Sequence, residues 1–448
     1  MSRIAIIGTG ISGLSAAYML SQRHQVTVYE KQSRIGGHSR TMNIQYGDRT
    51  MPVDTGFIVF NEQNYPNLTA MFRHLGARAK KSDMSFALTV GDGWLEWGAK
   101  DLRAILAQPR NLLRPRFLKL FIDVMRFNRD ALAEASRAPE MTVDGLIRHM
   151  RLGDWFRRHY LLPMAGAIWS CPPRQMLEFP ACALLQFFAN HNLLSMEGQP
   201  QWLTLEGGAQ TYVDRLASIL GTRIRTACGA LEITRHGSGV KIVDEQGNAA
   251  HFDKIVLACH SDEALALLRD ASGAEHAALG AIRYQPNQVV LHKDPSFMPK
   301  RKHAWASWVY HSDGAGEEPA ISVTYWMNSL QGIDRRYPLF VALNPSRPIA
   351  PEDTFDRHEF SHPVLDFAAV RAQAMVKSMQ GERNTWFCGA WLGHGFHEDG
   401  LVSAMAVAER LGSTAPWLGQ SPAAETRPRA RHRIPALALG DEALAFGD

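Results

Sequence analysis

Apolar and polar positions divide the chain into segments of different period. Arg3 to Ile7 reads as a buried strand, Gly8–Thr9–Gly10–Ile11–Ser12–Gly13 as a tight turn, Leu14 to Ser21 as a helix, and Val26 to Glu30 as a second strand. Residues 205–218, LEGGAQTYVDRLAS, open a further segment. After it, short apolar runs alternate with Gly and Asn turns, the pattern of a β-meander. Two insertions separate these segments. Residues 85–194 are rich in helical periodicity, most clearly in NLLRPRFLKLFIDVMRFNRDALAEA, where apolar residues recur every three or four positions between Arg and Lys. Residues 283–385 carry the strand-like runs NQVVLHK, AWASWVYH, AISVTYWMN and PLFVALN. In such a sheet Trp305, Trp308, Tyr310, Tyr325 and Trp326 alternate between the two faces, some walling a cavity and the others filling core.

The amphipathic helix near 110–130 has two readings: a basic helix touching an anionic membrane, or, as favoured here, a helix with its apolar face in the core. A length of 448 residues accommodates two domains, and 46% hydrophobic with 21% charged residues is a globular composition. The net charge of +4 is small. The basic runs PKRK (299–302) and RPRARHR (427–433) form no sustained stripe, so nucleic acid is not an expected partner. Residues 419–448 read as a disordered tail. Five scattered cysteines without a CxxC pair suggest neither a disulfide framework nor a zinc site. With no signal-peptide pattern and no apolar run of about 18 residues, a cytoplasmic location is expected, peripheral contact with the inner membrane being left open.

The opening segment carries chemistry. Gly8 permits the turn, Gly10 lets a pyrophosphate approach the backbone, and Gly13 seats the helix on the strand, so that the helix N-terminus points at negative charge. Glu30 ends the second strand, where its carboxylate can accept from ribose hydroxyls. HEFSH (358–362) matches the HExxH zinc pattern, but Pro351 and Pro363 argue against the helix that pattern needs, and no metal is expected.

RIGGHS follows directly, with Arg34, Gly36 and Gly37. It resembles the second glycine motif, close to RxGGRxxT, of glutathione-reductase-type FAD proteins, in particular the flavin amine oxidase and phytoene desaturase superfamily. Thr41 matches, while His38 stands where a second arginine is usual. LEGGAQTYVDRLAS resembles the family's returning helix, and TWFCGAWLGHGFHEDGLVSAMAVAERL its C-terminal flavin motif, with Gly389 matching and Ala390 in place of the usual acid. The resemblance implies an α/β fold: a Rossmann-like FAD-binding domain from 1–84, 195–282 and 386–418, with an inserted α+β substrate domain from 85–194 and 283–385. It implies non-covalent FAD held by Gly8, Gly10, Ile11, Ser12, Gly13, Glu30, Lys31, Arg34, Gly36, Gly37, His38, Ser39, Thr55, Gly56, Phe57, Leu231, Gly389, Ala390, Gly400, Leu401 and Val402.

Asn287 occupies the position of the lysine typical of flavin amine oxidases, which weakens simple amine oxidation. VDTGFIVFNEQNYPNLTAMFRHLG (53–76), SVTYWMN and HEDGLVSA resemble a bacterial group of amine-oxidase-like proteins often encoded beside cyclopropane-fatty-acid-synthase-like methyltransferases. That resemblance implies hydride removal from a fatty acyl chain, free or in phospholipid. His394 and His397 are the candidate catalytic residues, with Glu398 a further polar group beside the flavin. An amine or amino-acid oxidase, a redox-neutral fatty acid isomerase and a non-catalytic flavin redox sensor remain the alternatives.

Overall fold

The computed structural model describes residues 1–169, 172–195, 198–312 and 322–419. Strand Arg3–Ile7 is the centre of a five-stranded parallel sheet. Lys254–Leu257 and then Thr385–Phe387 lie on one side of it, Gln25–Tyr29 and then Ile224–Arg225 on the other. A parallel sheet needs cover on both faces, and Ile4, Ala5 and Ile6 are accordingly sealed from solvent. Helix Ile11–Leu20 covers one face and is in turn packed by Gln210–Leu220 and His397–Arg410. A Cβ on Gly13 would stand 2.0 Å from the Gly8 carbonyl oxygen, so only glycine lets this helix begin against the strand.

The meander is Ala230–His236, Gly239–Asp244 and Ala249–Phe252, an antiparallel sheet joined to the nucleotide side of the fold. A seven-stranded sheet runs in the order Thr354–Val364, Arg283–His292, Phe340–Leu343, Ser322–Trp326, Trp308–Ser312, Phe86–Val90 and Leu95–Gly98. Both insertions therefore meet in one sheet. The last two strands open the insertion that periodicity reads as helical. They are five and four residues long, too short for a period to stand out, and Phe86–Val90 is recruited by parallel pairing with Trp308–Ser312.

HEFSH lies within the edge strand Thr354–Val364, a position in a sheet that tolerates Pro363. In a strand His358 and His362 stand about 13 Å apart, beyond the reach of one metal ion. The amphipathic stretch forms helix Pro115–Arg137, with Phe117, Leu120, Val124, Phe127 and Ala131 buried. The roof aromatics divide as alternation requires. Trp308 and Tyr325, edge to face at 5.0 Å, face the cavity described below, while Trp305 and Trp326, edge to face at 5.2 Å, pack together in a separate cluster. Cys171, the start of AISVTYWMN and the tail from residue 420 lie outside the described residues. Among those residues no helix is long and apolar enough to cross a membrane.

Candidate active site and cofactor cleft

The carboxyl ends of the parallel strands open into a cavity of about 870 Å³ that continues beneath the seven-stranded sheet. Its nucleotide end is built by the first turn. Gly10 is the N-cap of helix Ile11–Leu20 and carries no side-chain cap, the first helical turn contains no acid, and a Cβ on Gly10 would meet nothing. An uncompensated helix N-terminus thus faces open space, the setting an anionic phosphate requires. Glu30 comes to the same wall from the end of Gln25–Tyr29. Its Oε2 accepts from the Thr9 amide at 3.1 Å and from the Thr9 hydroxyl, and its Oε1 accepts from the Gln32 amide at 2.9 Å.

Arg34 holds the second glycine loop together, donating to the carbonyls of Ile35, Gly37 and Ser39 at 3.2, 2.8 and 3.3 Å. His38, in place of an arginine, brings no charge. Burial drives its pKa well below the usual imidazole value, helped by His362, His260, His397 and Arg34. Its ring stacks on Phe360 at 4.2 Å, with His362 at 5.3 Å and His260 at 6.1 Å, and its buried Nε2 has no partner among the described residues. That orphaned nitrogen is a site for a ligand oxygen.

Thr55, Gly56 and Phe57 line the middle of the cavity together with Gly389, Ala390 and His397. Phe57 stacks on His397 at 4.0 Å, and His397 Nε2 meets the Ser39 hydroxyl at 3.0 Å. Burial lowers the His397 pKa to about 3, so this ring is neutral. Ser39 also meets the Tyr212 hydroxyl and is sealed from the cavity. Gly400 abuts Ser12, whose hydroxyl would lie 2.8 Å from an added Cβ.

Other expected residues sit elsewhere. His394 is not on the cavity wall, and its carbonyl accepts from Trp169 Nε1 at 3.2 Å. Leu231 turns its side chain outward at 52% exposure, leaving Gly229, Ala230 and Glu245 on the wall. Leu401 is core and Val402 is exposed, so any contact they make with a ligand runs through backbone. Gly13 and Gly36 shape the loops without lining the cavity, whereas Ile11, Ser12 and Lys31 do line it. Glu398 is committed to the start of helix Pro66–His74, accepting from the Asn67 and Leu68 amides at 2.9 Å each.

Among the cavity residues that the sequence does not single out as site residues are His191, His260, Phe360 and His362. His260 directly follows the strand Lys254–Leu257 by a short turn, and the carboxyl end of a parallel strand is where ligands bind, a usable signal. Phe360 and His362 lie in HEFSH, weighed only as a metal motif. Among the described residues no group of three potential metal ligands occurs.

Residues 11–333 match the family of flavin-containing amine oxidoreductases. The chain belongs to that family. Its members bind FAD, and the open helix N-terminus, the Glu30 carboxylate and the orphaned His38 nitrogen fit such a dinucleotide. AofH of Mycobacterium tuberculosis, provisionally named a flavin-containing monoamine oxidase, is 26% identical over 267 residues, 55% of this chain and 54% of AofH. A Synechococcus elongatus protein, provisionally named a zeta-carotene desaturase, is 27% identical over 35% of this chain and 34% of its own. The chain thus spans about half the length of AofH and about a third of the desaturase. The structure of a fatty acid isomerase from P. acnes that produces CLA superposes with a TM-score of 0.65 at 16% identity, over 91% of this chain and 98% of that one, a likeness of fold.

Proposed function

We propose that this flavoprotein removes a hydride from a hydrophobic substrate, a fatty acyl chain free or in phospholipid. The observation that carries the reading is the distribution of charge around the cavity. Its charged residues, Glu30, Lys31, Arg34, Glu245 and Glu263, gather at the nucleotide end, and Glu359 on the roof strand is solvent-exposed. The far end is walled by Met84, Met164, Ile168, Val289 and Leu343 together with Trp308 and Tyr325. An alkyl chain gains by leaving water for such a wall, whereas an ammonium group there would lack a carboxylate partner.

The cavity-facing histidines reinforce this. Burial holds His191 and His362 at about 4 and His397 at about 3, so each is neutral near pH 7. Bound FAD supplies the hydride acceptor. In this reading residues 1–84, 195–282 and 386–418 hold it, the glycine turn and Glu30 anchor its nucleotide, and 85–194 with 283–385 enclose the acyl chain. Amine oxidation is the second reading, favoured by the kinship with AofH and by Trp391 and Phe396 on the cavity wall.

The test is anaerobic addition of phospholipids with unsaturated or methylated chains, and in parallel of amines, to the FAD-loaded protein while the flavin absorbance is followed. Bleaching by lipid alone is expected. Bleaching by an amine alone sinks the lipid reading, and conversion of lipid without bleaching replaces dehydrogenation with isomerisation.

A further inference from the structure

Helix Pro115–Arg137 is apolar on two sides. Its inner side, with Phe117, Leu120, Val124 and Phe127, is accounted for by the core. Its outer side is not. Leu118, Ile122 and Met125, spaced four and three residues apart, form a second stripe exposed to solvent, with Met125 at 61%. The turn just before the helix also exposes Leu112 and, at 85%, Leu113. Scattered exposed apolar residues need no explanation, but a continuous row on one face does.

The row is framed by cations drawn from two distant stretches of chain. Arg110 and Arg114 both donate to the Trp94 carbonyl at 3.3 Å, and the Arg114 guanidinium lies 4.7 Å from the half-exposed Trp94 ring. Arg116 is exposed on the helix itself. The PKRK run arrives from the other side: Lys300 and Arg301 join Arg110 and Trp94 around a shallow depression of about 490 Å³. Leu102 and Arg103, both exposed, sit on the short helix Leu102–Ile105, which packs against Lys302–Ala304. Lys300 is paired with Asp92 at 2.7 Å and Arg301 with the buried Glu96 at 2.7 Å, and the Asp101 carboxylate accepts from the Ala104 amide at 2.8 Å, whereas Arg103, Arg110, Arg114 and Arg116 stand in no ion pair among the described residues. Positive charge therefore prevails.

We infer that this face docks on the surface of an anionic phospholipid bilayer, the leucines, Ile122 and Met125 entering the acyl boundary and the arginines and Lys300 meeting phosphate headgroups. Aliphatic prongs ringed by arginine, with an interfacial tryptophan, match a charged lipid surface. A nucleic-acid backbone would satisfy the cations and leave the prongs in water. The inference goes beyond the reaction proposed above, and its test needs no turnover.

FAD-loaded full-length protein is sedimented with vesicles of phosphatidylcholine alone or mixed with phosphatidylglycerol. Binding is expected to the mixed vesicles, to weaken with added salt, and to be slight with phosphatidylcholine alone. The combined substitution Leu113→Ser, Leu118→Ser, Ile122→Ser and Met125→Ser is expected to lower that binding at least about ten-fold with flavin spectrum and melting temperature unchanged. Arg103→Gln with Arg116→Gln, a pair that leaves the apolar row intact, is expected to lower it about ten-fold. Equal binding by both variants and the unaltered protein overturns the inference. So does light scattering that finds a dimer which the serine variant converts to monomer, since the row would then be covered by a second copy.

Discussion

The side-chain amide of Asn287 donates from Nδ2 to Nδ1 of His362 across 3.0 Å. Its direction follows from a chain of partners. The Gln288 amide donates to Asn344 Oδ1 at 2.8 Å, so Asn344 Nδ2 is the group that donates to Asn287 Oδ1 at 2.7 Å. Asn287 Nδ2 is then left to the Gln285 carbonyl, at 2.9 Å, and to His362. Nδ1 of His362 must accept, which puts the ring proton on Nε2, and burial lowers the pKa to about 4. A neutral ring that presents N–H to the cavity is the expected state, visible as the Nε2–H tautomer by nitrogen NMR. Asn287→Asp, which offers an acceptor instead, is expected to move the proton to Nδ1 and raise the His362 pKa by about one to two units. An Nδ1–H tautomer in the unaltered protein would falsify the assignment.

Glu30 organises the turn through Thr9 and Gln32 and stands where ribose hydroxyls would donate. Glu30→Ala is expected to weaken FAD binding by about 10- to 100-fold, the loss of about 1.5 to 3 kcal/mol in bonds to a charged acceptor. Glu30→Gln, which keeps one acceptor oxygen, is expected to lose less. Flavin fluorescence quenching on titration into apoprotein reads both, and an unaltered Kd in the alanine variant removes Glu30 from the cofactor site.

Asp54 is sealed from solvent between Thr41, the Ala209 amide and Gln331, which donate at 2.6, 2.9 and 2.9 Å. Burial outweighs those bonds and raises its pKa to about 7. A carboxyl whose folded pKa lies above its unfolded value costs nothing while protonated in both states. Its cost grows as pH rises from about 4 and is complete above about 7, on the order of 4 kcal/mol. Relative to Asp54→Asn, the unaltered protein should lose stability across that window. Urea midpoints measured for both at several pH values check this, and parallel profiles would contradict it.

Glu398 was expected beside the flavin. It serves instead as the cap of a helix 331 residues away in sequence, accepting from the Asn67 amide at 2.9 Å and its Nδ2 at 2.7 Å and from the Leu68 amide at 2.9 Å. Tyr65, the N-cap itself, makes no side-chain capping bond. Glu398→Ala should therefore lower stability by about 2 kcal/mol, and Glu398→Gln by less. Thermal melts measure it. A glutamine variant of unchanged melting temperature but without turnover would return Glu398 to proton transfer.

What could be read from the chain is what is local along it. Gly8, Gly10, Gly13 and Glu30 lie within one strand–turn–helix–strand unit, and each role depends on backbone a few residues away, so spacing alone placed them on the cavity or against the strand. The helix Pro115–Arg137 and the central strands of the second sheet are likewise legible, because burial on one face imposes a period, whereas Gln210–Leu220 is expected only from the family resemblance. Periodicity reports that a side chain is buried or exposed and is silent about its partner. Packing at long separation brought His38 onto Phe360, Asn287 to His362, Glu398 to Asn67 and Lys300 to Arg110. The dinucleotide-binding turn is legible from residue order, since its hydrogen bonds are short-range. Which histidines share the cavity and which apolar rows remain uncovered follow from the folded arrangement, because those depend on how distant surfaces exclude water together.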